Sequence, residues 1–128
     1  MPTPHSFDYA LIRVMPRVDR GECVNVGAVL FCRTLRYLGA RIALDVARLR
    51  ALDAELDIDL VELHLGHIPQ ICAGGAAGGP IGALPIADRF HWLVAPRSAV
   101  IQTSAVHSGL CANPAASLDG LMRRLSGG

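Results

Sequence analysis

Residues Phe7 to Leu44 read FDYALIRVMPRVDRGECVNVGAVLFCRTLRYLGARIAL, and this stretch decides the fold. From Phe7 to Met15 the residues alternate. Tyr9, Leu11, Arg13 and Met15 fall on one face, and Ala10, Ile12 and Val14 on the other. A period of two marks a strand. Pro16 is expected to end it, because proline donates no ladder hydrogen bond. A polar turn follows from Arg17 to Glu22. Cys23 to Arg33 is apolar on both faces, as in a central strand covered from both sides. Thr34 to Arg36 turn the chain again, and Tyr37 to Leu44 form a third strand with Gly39 inside it. A parallel crossover takes about a dozen residues or more, so these short turns imply antiparallel neighbours. The reading is a three-stranded antiparallel meander.

Beyond it the period changes. Asp45 is placed to cap a helix from Val46 to Leu52. Asp57 or Asp59 caps a longer one reaching about Cys72, stopped by Gly74 and Gly75. Gly74 to Pro85 is a loop of Gly, Ala and Pro. Ala87 to Val94 reads as a short helix and Val100 to Ser104 as a fourth strand. Asn113 before Pro114 opens a last helix to about Leu125. Strands grouped ahead of helices imply an α+β domain, a mostly antiparallel sheet with helices packed on one face.

Composition narrows the function. Of the 128 residues, 52% are hydrophobic and 18% charged, a balance that excludes disorder and suits a self-association surface. No run approaches the roughly 18 apolar residues of a membrane helix. Met1 to Asp8 has no signal-peptide character, so a cytoplasmic protein is expected, with no membrane partner. Cys23, Cys32, Cys72 and Cys111 show no metal-ligand spacing and are expected to be free thiols. The net charge of +1 gives no general pull on nucleic acid, and none is expected as a partner. All 12 basic residues are Arg. The absence of Lys suggests a GC-rich bacterial genome and removes lysine chemistry.

Two blocks of sequence carry a resemblance. Tyr9-Ala10-Leu11-Ile12-Arg13-Val14 with Asn25-Val26-Gly27-Ala28-Val29-Leu30 is similar to the start of a bacterial family of unknown function, the one numbered 3037 among such families. Arg89-Phe90-His91-Trp92, Ala95-Pro96-Arg97-Ser98 and Ile101-Gln102 resemble its second block. The likeness runs from about Phe7 to Leu125. It implies no activity, cofactor or catalytic residue. It does imply a partner, since genes for HipA-like kinases accompany the family.

Several polar groups invite a functional reading. Arg89, His91, Trp92, Arg97, Ser98, Gln102, Ser104 and His107 crowd one short helix and strand. Guanidiniums grip phosphate or carboxylate bidentately, so this run is a candidate anion site, or else a set of surface charges around a buried Trp92. Asn25 lies in an apolar strand, where a buried amide needs a partner. It either orients a ligand beside Arg13 or satisfies a bulge marked by Gly27. Glu62, His64 and His67 share a helix, but the histidines lack a third ligand nearby and no metal is expected. Gly74 to Pro80 lacks the Lys-Ser/Thr of a phosphate loop and reads as a connector. Ser98, Ser104 and Ser108 with His91 or His107 form no nucleophile elbow. Arg13, Arg33 and Arg41 would line a sheet edge and protect it from aggregation.

The expected function is that of a non-catalytic interaction or accessory protein, working with a protein partner such as a HipA-like kinase or as a homo-oligomer. The alternative is a small anion- or nucleotide-binding domain or enzyme using the Arg/His cluster, with Arg13 and Asn25 as further ligand contacts. No cofactor is expected.

Overall fold

A computed structural model describes residues 4–96 and 99–127. The meander forms as expected: β1 (His5–Arg17), β2 (Glu22–Cys32) and β3 (Tyr37–Ile42) are antiparallel in the order β3-β2-β1. The free edge of β1 then takes two further antiparallel strands. Its second half pairs with β4 (Ile101–Thr103) and its first half with β5 (His107–Cys111). β4 corresponds to the expected fourth strand, whereas β5 was hidden by its polar, small-residue pattern, His-Ser-Gly-Leu-Cys. Ser104 to Val106, opposite the middle of β1, separate β4 from β5.

Ser104 bridges that break. Its backbone N–H donates to Leu11 O at 2.9 Å. Its hydroxyl accepts from the Leu11 N–H at 2.9 Å and donates to Ala105 O at 2.9 Å. The hydroxyl thus stands in for a strand carbonyl. Ser104 is the one buried polar residue among those described, and its hydrogen bonds explain why it can be buried.

β2 carries a bulge. Ile12 faces Gly27 and Arg13 faces Asn25, so Val26 is an extra residue on β2. The bulge changes which residues share a face. Before it, Val24 and Val26 enter one core; after it, Val29 and Phe31 enter that core, and Ala28, Leu30 and Cys32 enter a second. Only the later part of β2 is therefore buried on both sides. Asn25 lies in the earlier part and is exposed, which corrects the expectation of a buried amide. Gly27 is needed here for a different reason: a Cβ would collide with the Arg41 carbonyl oxygen on β3. Pro16 does not end β1, because a second register shift between Val14 and Arg17 accommodates it.

The helices are α1 (Val46–Leu52), α2 (Ile58–Ala73), a single turn α3 (Gly79–Gly82), α4 (Ile86–Val94) and α5 (Pro114–Gly127). Asp45 caps α1 through the Arg48 N–H at 3.0 Å, and Asp57, rather than Asp59, caps α2 through the Leu60 N–H at 3.1 Å. Asn113 accepts from the Ala116 N–H at 3.2 Å at the start of α5. Leu49 of α1, Val61 and Leu65 of α2, and Phe90 and Leu93 of α4 fill the first core; Phe90 stacks on Phe31 with centroids 5.3 Å apart. Leu118 and Leu121 of α5 join Phe7, Leu30, Cys32 and Cys111 in the second core, on the opposite side. Helices on one face only is thus corrected to helices on both. A strand segment apolar on both sides needs two covers, and α5 is the second.

Ser104→Ala is expected to destabilise the chain by about 1–3 kcal/mol in urea unfolding, because the part-buried Leu11 N–H loses its acceptor. Ser108→Ala, at an exposed position, is expected to change stability by less than about 0.5 kcal/mol.

Candidate functional site

The sheet sorts the candidate residues. Ile12 and Val14 point into the first core, so Arg13 between them points to the other side. Asn25, Arg13 and Gln102 are register partners and form one row across β2, β1 and β4. The Arg13 Nε donates to Asn25 Oδ1 at 3.2 Å. Asn25 therefore does lie beside Arg13, and it does so at the bulge. Gln102 Nε2 is turned onto Ala99 O at 2.7 Å. His107 faces Tyr9, their rings 5.5 Å apart. Tyr9 is four residues from Arg13 along β1, roughly 13 Å at strand spacing, so His107 does not join the Arg13 row. Arg13 also sits on a central strand and protects no edge. Arg33 instead lies over the Phe31 ring at 5.6 Å.

Arg89, His91 and Trp92 belong to α4, against the other side of the sheet. Arg89 is committed to backbone. Nη1 donates to Ile71 O at 3.0 Å and to Cys72 O at 2.7 Å, and Nε donates to Leu84 O at 3.0 Å. The last carbonyls of a helix lack intrahelical partners, and a cation near them is favourable. Arg89 thus closes the end of α2 and ties it to the loop before α4. Gly74, at φ +79°, leaves room for this guanidinium: a Cβ there would lie 2.9 Å from Nη1. His91 is exposed. Arg97 and Ser98 lie outside the described residues.

A groove of about 700 Å³ runs between α2, the α3 region, α4 and β4. Leu60, Val61, Ile68, Trp92 and Ile101 line it, with Asp57, His64, His67 and Gln70 among its polar residues. The His64 and His67 rings meet edge to face at 6.0 Å. Among the described residues no third His, Cys, Asp or Glu joins them in a metal-holding group. The sequence singled out Trp92 but not the groove. Its trace was the apolar breadth of α2, where Leu60 borders the buried stripe without belonging to it.

Two thiols are electrostatically altered. Burial pushes Cys72 up to about 12, against the opposing pull of the Arg89 guanidinium. Burial also raises Cys111, and the neighbouring Cys32 thiol adds to the rise. Cys23 is exposed.

A family model described as a protein of unknown function, DUF3037, matches residues 9–125. The chain belongs to that family. No curated protein and no solved structure matches it.

Of the four cysteines, Cys23 is expected to react fast with a thiol reagent at pH 8, while the buried Cys32, Cys72 and Cys111 react only as the chain opens. Mass-spectrometric mapping checks this. A raised folded-state value also means that the unfolded chain loses its Cys72 proton first. The resulting stability is intact below pH 9.0 and is lost as pH climbs toward about 12. Arg89→Ala is expected to cost about 2 kcal/mol, and Arg89→Lys to recover only part of it, because an ammonium cannot reproduce the fork.

Proposed function

We propose that this is a non-catalytic interaction protein, and that the groove between α2, α4 and β4 receives an apolar segment of a protein partner. The observation that carries the reading is the groove with its exposed lining. Leu60 is 48% exposed and Trp92 39%, both beside an open concavity whose floor includes Val61 and Ile71. Large apolar side chains gathered in the open usually mark an interaction site. An amphipathic helix laying its apolar face into such a trough is a recurring mode of peptide recognition. The polar rim, Asp57, His64, His67 and Gln70, offers hydrogen bonds that would fix its register.

The commitments of the reactive groups support the non-catalytic half. Arg89 serves three backbone carbonyls, Ser104 serves the sheet, and Cys72 is held protonated by burial. The engagement of Arg89 favours this reading over an anion- or nucleotide-binding site, in which its guanidinium would be the main contact. The family's association with HipA-like kinases makes such a kinase the partner to test first.

Calorimetric titration of the chain with a purified HipA-like kinase tests the proposal. Leu60→Asp is expected to weaken binding at least about tenfold, since a charge would enter the apolar contact. Arg13→Ala with Asn25→Ala, on the other side of the sheet, leaves the affinity unchanged. No heat of binding, or equal affinity of L60D and the parent chain, contradicts the proposal.

A further inference from the structure

The sheet has two edges, and they are built differently. The β3 edge is guarded. Arg36 precedes it, and within it Arg41 donates to Ala40 O at 3.1 Å and to Asp119 Oδ1 at 3.2 Å. Charged side chains on an edge strand deter pairing with another chain. The far edge has no such guard. β5 bonds to β1 on one side, and among the described residues no strand bonds to its other side. No Asp, Glu, Lys or Arg occurs between Arg97 and Asp119. Leu110 is 70% exposed, the highest value among the exposed large hydrophobic residues described, and Val106 is 44% exposed.

We infer that β5 pairs with β5 of a second copy of this chain, antiparallel about a two-fold axis at Ser108. The register follows from spacing. Val106 and Leu110 stand equally far on either side of Ser108. A two-fold antiparallel pairing centred there sets Val106 against the partner's Leu110, and the same contact recurs with the roles exchanged. Ser108 and Leu110 share one face of β5, and Val106 stands one residue before its start; pairing that lengthens β5 by that residue continues the alternation and puts both apolar contacts on one surface. An isologous contact requires a surface complementary to itself, and a strand without charge meets its own image without repulsion. A foreign strand would gain the main-chain bonds but not the doubled Val–Leu contact.

The rest of β5 fits this use. Ser108 Oγ donates to Asp8 Oδ1 at 2.8 Å, so the nearest carboxylate is already engaged. A Cβ on Gly109 would lie 2.7 Å from the Phe7 ring, so that ring fills the opposite face and holds β5 to β1. Val106 and Leu110 lie outside the lining of the groove, so the dimer would present two accessible grooves.

Sedimentation equilibrium of the full chain, carried to high micromolar concentration, tests the inference. The expected species has twice the 13.6 kDa mass of one chain. Leu110→Lys removes an apolar contact at both copies, and the dimer dissociation constant should rise at least about 100-fold. The far-UV spectrum should stay unchanged, because Leu110 is exposed in one chain. V106E introduced with L110K sets opposite charges face to face twice and should restore the dimer. A parent chain that stays monomeric overturns the inference, as does a dimer undiminished by L110K. Failure of the double variant to re-form the dimer overturns the register about Ser108.

Discussion

The β1–β2 ladder and the extra residue on β2, Val26, organise the molecule. Before the bulge β2 is buried on one side only; after it, Ala28 to Cys32 are buried on both. That change dictates the layers. One side of the doubly buried segment needs α2 and α4, and the other needs α5. β1 then supplies the surface on which β4 and β5 are assembled, spliced by the Ser104 hydroxyl. Burying strands on both faces is typical of parallel sheets, where crossover helices supply the covers. Here an antiparallel sheet reaches the same condition over only part of its length. The uncovered remainder is where polar residues appear.

The sheet also separates two chemistries. Asn25, Arg13 and the Tyr9–His107 pair lie on the side partly covered by α5, while Gln102 on β4 also borders the groove. The groove, Trp92 and the Arg89 cap lie on the side of α2 and α4. A cluster that is continuous in sequence from Arg89 to His107 is therefore divided in space. Arg89 has a role that linear reading does not suggest, because it donates to last-turn carbonyls of a helix 17 and 18 residues earlier. The open surface is largely apolar in the groove on one side of the sheet and hydrogen-bonding along Asn25 and Arg13 on the other. The apolar side has the concave shape that binding favours.

Much of this was legible in the sequence. The meander follows from alternation in Phe7 to Met15 and from short turns. The helix starts follow from Asp45, from Asp57 or Asp59, and from Asn113; the structure chooses Asp57, and the three side chains bond the backbone where capping requires. Other features depend on contacts distant in sequence. The Val26 bulge cannot be read from an unbroken apolar run, because Val24, Val26, Val29 and Phe31 reveal a change of phase only against a partner strand. Asn25 looked buried for that reason. β5 escaped notice because Ser108 and Gly109 have weak strand preference, and its pairing is imposed by β1 across about a hundred residues. The groove needed α2, α4 and β4 in place before Leu60 and Trp92 could be seen to share it.

Amide hydrogen exchange across the chain tests the central claim most directly. Stability is not uniform in a folded chain, and the slowest amides mark the part that opens last. If the doubly covered ladder holds the structure together, the slowest amides fall in Ala10 to Ile12 and Ala28 to Phe31, beyond the bulge. Cys23 to Asn25 on the same strand then exchange markedly faster. Equal protection on both sides of Val26, or slowest exchange within α2 or α5, would contradict the account.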